Sequence, residues 1–372
     1  MVNNFNKIHF SPRVLVAPLD WGLGHATRCI PIVKELISLD CEVIIVADKN
    51  IFTLLEKEFP SSVFIRYKGY EIVYNRKKKN FNLTLFFQFP RLFVKVIRER
   101  RWLDKIIKSY SIDAVISDNR FGMYSKKVPS IYITHQINIQ TGNLFFGKIA
   151  TAIHSYFIRK YKACWIPDFK NDGLAGKLSH PMNLRNEIYI GGLSRFKISS
   201  HSKIIYDLLI TLSGPEPSRS IFEEMILEQL KTFPGSVLLV RGLPLSNEDL
   251  TSPNYSVSIF NHLSSSKLNE AMEQSKMVVA RSGYTTVMDL AALHKKAVLV
   301  PTPGQSEQEY LAHYLHQKKY FMMAIQEGFS LNEILKKSES FPFKGMDFSM
   351  DDYKKTINEF VLSLKSVNFA PQ

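Results

Sequence analysis

"ARSGYTTVMDLAALHKKAVLVPTPGQSEQEYLA", residues 280–312, decides how the fold is read. It runs from the end of an apolar strand ("KMVVARSG", 276–283) through a glycine turn into a helical pattern. A second strand follows ("KAVLVPTP", 296–303), then a polar loop that opens another helix. Strand, helix and strand in that order form a βαβ unit, which implies a parallel sheet. Ser282, Gly283, Tyr284, Thr285 and Thr286 begin the helix, where amides without intrahelical partners and the helix dipole favour an anion. Asp289 follows Thr285 by one helical turn and lies on nearly the same face, so its carboxylate suits the vicinal hydroxyls of a ribose and not a phosphate. Beyond the next strand, Gln305, Gln308 and Glu309 offer amide and carboxylate groups for sugar hydroxyls. The competing reading is an ordinary βα turn with a solvated helix start.

The same alternation extends in both directions. "RVLVAPL" (13–19), "CEVIIVA" (41–47), "VFIRY" (63–67), "DAVISD" (113–118), "SIYITH" (130–135) and "ACWIP" (163–167) read as strands of one sheet. "DLLITLSG" (207–214), "SVLLVRG" (236–242), "YSVSIFNHL" (255–263) and the two strands above read as a second sheet. Segments of helical period lie between the strands, so the fold class is α/β with two Rossmann-like domains whose parallel sheets face each other across a cleft. Polar, glycine-bearing "IYIGGLSRFKISSHSK" (188–203) reads as the linker. The expected domains are 1–194 and 195–350, with a C-terminal helix within 351–372 packing back on the first.

"DWGLGHATR" (20–28) follows the first strand. Gly22 and Gly24, with Asp48 closing the second strand, approach a dinucleotide-binding fingerprint, but Thr27 stands where the third glycine belongs. Trp21 and His25 would crowd a pyrophosphate. A tight βα turn with a capping histidine is one alternative. The other has the glycines deliver His25 to the cleft, where an imidazole accepts a proton at neutral pH or orients a hydroxyl. A third glycine turn, "TLSGPEPSR" (211–219), offers the amides of Ser213 and Gly214 to a diphosphate and Arg219 as added charge. Two anion-holding turns and a diol-binding acid in one domain together point to a nucleotide sugar.

"GLGHATRC" followed by "RSGYTTVMDLAAL…VPTPGQSEQEYLA" resembles the GT-B glycosyltransferases, close to the lipid-linked N-acetylglucosaminyltransferases of the MurG type. The resemblance covers most of the chain. It implies that the first domain takes the acceptor and the second a UDP-sugar donor, UDP-N-acetylglucosamine in the family. His25 corresponds to the family's glycine-loop histidine, Ser213 and Gly214 to its diphosphate turn, and Asp289 to its ribose-binding acid. Gln308 and Glu309 correspond to its sugar-reading pair, and its uracil-contacting backbone falls near Leu263 to Ser266. Arg281 belongs to the same donor block. The second residue of the sugar-reading pair is Glu here, the amide expected further on is Ala312, and the first glycine loop is shorter than the family's. The same "GxGHxxRC" pattern resembles the UDP-sugar hydrolases of the pseudaminic acid pathway, which transfer to water. A non-catalytic nucleotide-sugar module is the alternative of a different class. No D-x-D occurs, so a metal-independent, inverting displacement without a cofactor is expected.

The 372 residues carry a net charge of +14 and 45% hydrophobic residues, a basic globular chain whose expected partners are anionic. "NRKKKNFNLTLFFQFPRLFVKVIRERRWLDKIIKSY" (75–110) interleaves Arg76, Lys77, Lys78, Lys79, Arg91, Lys95, Arg98, Arg100 and Arg101 with Phe81, Phe86, Phe87, Phe89, Phe93 and Trp102. That pattern fits an anionic membrane surface, against a core helix with a basic outer face; no nucleic-acid motif accompanies it. "ISDNRFG" (116–122) and "THQINIQTG" (134–142) place Asp118, Asn119, Arg120, His135 and Gln136 at the acceptor side of the cleft. Three unpaired cysteines, Cys29, Cys41 and Cys164, and the lack of a secretory signal or a bilayer-length run suggest a cytoplasmic protein. The MurG-type resemblance, with the basic aromatic segment, implies an enzyme of cell-envelope biogenesis held peripherally at the inner face of the membrane.

Overall fold

Strands of the first sheet are short runs of Val, Ile, Leu and Ala: every residue of β1 (Arg13–Pro18) after Arg13 is buried, and every residue of β2 (Glu42–Ala47) after Glu42. Burial on both faces is what a parallel sheet between two helical layers demands. The computed structural model describes residues 11–20, 22–69, 81–140, 143–180, 184–199, 202–248 and 250–367, without the side chains of 50, 81–91 and 367. Chain order is β1, α1 (Leu23–Ser38), β2, α2 (Lys49–Glu58), β3 (Val63–Arg66), α3 (Phe81–Tyr110), β4 (Ala114–Asp118), β5 (Ser130–Ile133), α4 (Leu144–Ile158), β6 (Ala163–Ile166) and β7 (Glu187–Tyr189). The strands lie in the order β3-β2-β1-β4-β5-β6-β7, all neighbours parallel.

The second half repeats the plan. β8 (Tyr206–Thr211), α5 (Ser218–Leu230), β9 (Val237–Val240), β10 (Val257–Phe260), α6 (Ser265–Glu273), β11 (Ser275–Ala280), α7 (Tyr284–Ala292), β12 (Ala297–Leu299), α8 (Ser306–Gln317), β13 (Met322–Met323) and α9 (Leu331–Ser340) build a six-stranded parallel sheet, β10-β9-β8-β11-β12-β13. α10 (Asp352–Val367) then returns to the first domain. Its Tyr353, Ile357, Phe360, Val361 and Leu364 form one stripe in the core shared with α1 and α2, and Lys365 Nζ donates to the Leu39 carbonyl at 3.2 Å.

Each sheet reverses its strand order once, between β1 and β4 and between β8 and β11, and the crevice at such a switch point is where open α/β sheets bind ligands. In the first sheet Pro18 pairs with Asp118, which sets that carboxylate beside the turn leading into α1. In the second, Thr211 pairs with Ala280, so the Ser213 turn and the start of α7 leave the sheet side by side.

Two strands were not expected. β7 adds an edge to the first sheet inside the stretch read as linker, and β13 extends the second. β7 is three residues long with half-exposed side chains, too short and too polar for a periodicity signal. Leu174, Ala175, Leu178 and Phe196 pack into the core of the second domain, so apolar contact runs across the junction. No helix among the described residues is long and apolar enough to cross a membrane.

Candidate active site

The two glycines at the start of α1, Gly22 just before it and Gly24 in its first turn, have separate tasks. Gly22 adopts φ 84°, ψ 158°, a region that only glycine visits, and so turns the chain from β1 into the helix. Gly24 brings its backbone against the other domain: its carbonyl accepts from Thr285 Oγ1 at 3.1 Å, and a Cβ there would lie 3.3 Å from that oxygen. This turn meets the start of α7, where a dinucleotide fingerprint would meet a pyrophosphate.

His25 and Arg28, one turn apart on α1, both reach Asp118 at the end of β4. Asp118 is fully buried. Arg28 Nη2 pairs with Asp118 Oδ1, and Arg28 Nε donates to Oδ2 at 3.2 Å. His25 Nδ1 lies 3.2 Å from Asp118 Oδ2 and 3.0 Å from Arg28 Nη2. With the Nδ1 proton donated to Asp118, Nε2 is free to act as a base, and the approach of Arg28 Nη2 to Nδ1 is then a contact between two donors and not a hydrogen bond. Burial works to raise the Asp118 pKa, yet the Arg28 guanidinium and the His25 imidazole outweigh it and hold the carboxyl below its ordinary value.

The network continues across the cleft. Arg28 Nη1 is 2.6 Å from His135 Nδ1, and His135 Nε2 is 2.8 Å from Glu307 Oε1 on α8. A guanidinium can only donate, so Nδ1 of His135 accepts and its proton sits on Nε2, facing the carboxylate. Burial is the main reason that the His135 pKa lies below the ordinary value, Glu307 opposing it. Tyr284 stacks flat on the His135 ring, centroids 4.0 Å apart, and its hydroxyl donates to the Pro167 carbonyl at 2.6 Å. Burial tends to raise the Glu307 pKa, but His135, with His25 and Arg28 behind it, brings it below the usual value.

On the donor side Ser213 and Gly214 are exposed at the end of β8, Gly214 at φ 105°. Gly283 caps α7, whose first residues, Tyr284, Thr285 and Thr286, face the same crevice end. Leu263 is buried just ahead of α6. Ser282 is buried and donates to the Gln308 carbonyl at 2.8 Å, tying α7 to α8.

Several expected ligand groups are occupied by the protein itself. Arg219 is buried between Glu216 (2.6 Å) and Glu223 (3.1 Å), so its charge is matched internally. Arg281 is also buried: it donates to the carbonyls of Val300, Pro301 and Ser218 and to Gln326 Oε1, and lies over the Phe222 ring. Burial lowers its pKa to about 10. Asp289, 3% exposed, accepts from Ser194 Oγ at 2.6 Å and faces Arg195 Nε at 3.5 Å, contacts that tie α7 to the inter-domain chain. Its burial raises its pKa, with Arg195 opposing. The loop amides and carboxylate also bond locally: Gln308 Oε1 accepts from the Thr302 amide, Gln308 Nε2 donates to Gln305, and Glu309 accepts from the Gly304 amide. In the first domain Arg120 is buried on Glu99 at 2.7 Å and over Tyr67, and Asn119 accepts from the Tyr132 hydroxyl at 3.2 Å. Gln136 uses its backbone amide toward Thr134 and remains half-buried.

The basic aromatic segment divides similarly. Residues 75–80 and the side chains of 81–91 lie outside the described residues. Farther along α3, Phe93, Val94 and Ile97 are exposed beside Arg98 and Arg101, whereas Arg100 donates to the Tyr124 hydroxyl and Trp102 stacks inward on Tyr67 at 4.1 Å. Sequence reasoning missed Arg28, Glu307, Ser194 and Arg195. Arg28 carried a readable signal, a charged residue directly ahead of the apolar run "CIPIV" (29–33) and one turn after His25; the other three did not. Among the described residues no group of three or more His, Cys, Asp or Glu could hold a metal ion.

Residues 237–360 match the glycosyltransferase family 28 C-terminal domain. An uncharacterized glycosyltransferase of Methanosarcina acetivorans is 24% identical over 333 residues, 81% of this chain and 83% of that protein. Among solved structures, the glycotransferase of kitacinnamycin superposes with a TM-score of 0.63 at 10% identity over 96% of this chain and 95% of its own. MurG of Acinetobacter baumannii superposes with a TM-score of 0.53 at 12% identity, covering 95% of each chain. Residues 237–360 are thus similar to a glycosyltransferase family 28 C-terminal domain, and the whole chain has the GT-B fold.

Proposed function

We propose that this glycosyltransferase fold moves a sugar from a UDP-sugar to an acceptor hydroxyl with inversion, His25 acting as the general base. The observation that carries the reading is the juxtaposition at the cleft: the His25–Asp118 pair at one switch point meets the start of α7 at the other through the 3.1 Å bond from Thr285 to Gly24. In the proposed reaction His25 Nε2 takes the acceptor proton while that oxygen forms a bond to the anomeric carbon. The bond from that carbon to the diphosphate breaks, and its electron pair leaves with UDP. A single displacement from the side opposite the leaving group inverts the centre. The first amides of α7 and the exposed Ser213–Gly214 turn suit the charge that develops on the diphosphate.

The finer reading, a MurG-type transfer to a lipid-linked acceptor, draws support from the surface of the first domain. Phe93, Val94 and Ile97 are exposed on α3 and Leu144 and Phe145 on α4, two helices that share a small core at Val96, Ile153 and Phe157. Apolar side chains flanked by Arg98 and Arg101 suit an anionic membrane surface, which would hold the enzyme at the inner face of the membrane. The test is incubation with a panel of UDP-sugars, with and without membrane lipid extract, reading UDP and free sugar. UDP release that depends on extract is expected. Release of UDP with free sugar in its absence would make the protein a hydrolase, and binding without release a nucleotide-sugar module.

A further inference from the structure

His25 gains a positive charge when it takes a proton, and the groups that face it come from both domains. Arg28 on α1 and Asp118 at the end of β4 contact it directly; beyond Arg28 lie His135, after β5, and Glu307, on α8, both coupled to it through charge. Asp118 is the obvious counter-ion, but Arg28 already grips both of its oxygens. Within the first domain alone, a protonated His25 would share one buried carboxylate with a buried guanidinium, a net positive cluster with little water to spread it. Burying such an excess charge is costly. The remaining negative charge comes from across the cleft. Glu307 binds His135 Nε2 at 2.8 Å, and its own ionisation is favoured by His135 and, behind it, by His25 and Arg28. Two carboxylates and one guanidinium leave one negative charge in excess while both imidazoles are neutral. That excess vanishes once His25 is protonated.

We infer that Glu307, carried by the donor-side domain, is a positioning residue for the base on the acceptor side: its carboxylate balances the charge that His25 acquires, so the base is complete only when the two domains meet. The inference rests on His25 being the base of the proposed transfer. A neutral His135, its tautomer fixed by Arg28, is the relay that holds Glu307 at this distance without adding a charge of its own. Closure of the cleft then does more than exclude water, because it brings in the charge that proton transfer needs. An open enzyme with donor but no closed cleft has a weaker base, which limits loss of the donor to water.

The variants separate charge from contact. Glu307→Gln keeps an acceptor for His135 Nε2 and removes the charge; Glu307→Asp keeps the charge. The His25 imidazole is followed by NMR titration, assigned by its loss in His25→Asn, with UDP binding and thermal unfolding as controls. In Glu307→Gln the His25 midpoint is expected to fall by about one pH unit, a roughly ten-fold weaker proton affinity, with Glu307→Asp near wild type. UDP affinity and unfolding should change little in either. A midpoint that moves less than about 0.2 unit in Glu307→Gln, or equally in both variants, overturns the inference. Where turnover is measurable, the acid limb of kcat/KM should move with the NMR midpoint. The titration needs no turnover, so failure of the transferase reading shows in the UDP-sugar assay and failure of this inference shows in the His25 curve.

Discussion

Arg28 is the centre of the candidate site, and replacing it by Met asks whether the site is held as described. The guanidinium is 3% exposed and bonds to Asp118, which is fully buried. Removing one partner of such a pair leaves an uncompensated buried charge and costs about 3–5 kcal/mol. The bond to His135 Nδ1 is lost as well and adds about 1 kcal/mol. Arg28→Met is therefore expected to lose about 4 kcal/mol at pH 7 in urea unfolding. Adding Asp118→Asn removes the orphaned charge, so the double variant should be more stable than the two single losses predict, by about 2–3 kcal/mol. The pH dependence supplies a sign. In the wild type Asp118 lies below its ordinary value, so its contribution is complete above about pH 4 and fades only as pH falls through the lower folded value. In Arg28→Met burial acts without the guanidinium and drives the carboxyl upward; protonation then relieves the charge as pH falls from 7. The stability gap between wild type and Arg28→Met should narrow between pH 7 and pH 5. A loss below about 1 kcal/mol, or strictly additive single variants, would refute the account.

Two further expectations follow from buried groups. His154, 4% exposed, is held down to about 4 by burial, while an unfolded imidazole titrates near 6.5; because the folded value is depressed, stability is full above about pH 6.5 and falls by about 2 kcal/mol by pH 5. Melting curves across that range should show the loss, His154→Gln should flatten it, and an equal slope in both proteins would count against the assignment. Gly22→Ala meets no atom within 4 Å yet must hold φ 84°, so strain alone should cost about 1–3 kcal/mol, read as a lower denaturant midpoint; a neutral substitution would mean that the turn relaxes freely.

The parallel sheets were legible because their central strands, such as β1, β2, β4, β5 and β9, are apolar runs buried on both faces and bounded by turn residues. β7 was not, because three half-exposed residues carry no period. At the site, His25 could be read as a candidate because it follows the glycine turn after β1, and Asp118 because it is a polar group at the end of β4. Their partners were harder to see for a physical reason: Glu307 matters only through a contact spanning 172 residues of chain. What sequence could not show is burial: Arg219, Arg281, Arg120 and Asp289, read as candidates for ligand, each lie in a buried position with partners inside the protein. A charged residue at a strand end is as useful for joining two layers as for meeting a substrate, and only burial distinguishes the uses.

The glycine pair shows how a local pattern can mislead and still point to the right place. A dinucleotide fingerprint uses its glycines to let a pyrophosphate approach the backbone. Here Gly22 makes the turn and Gly24 admits Thr285, so the close approach is made by the other domain. A side chain at Gly24 would press on the Thr285 hydroxyl and push α7 away from α1. His25 and Arg28 follow directly on that helix, and their reach to His135 and Glu307 depends on the same closeness. The sequence "GLGHATR" therefore encodes a contact between domains first. The placement of a base beside the donor crevice is its consequence.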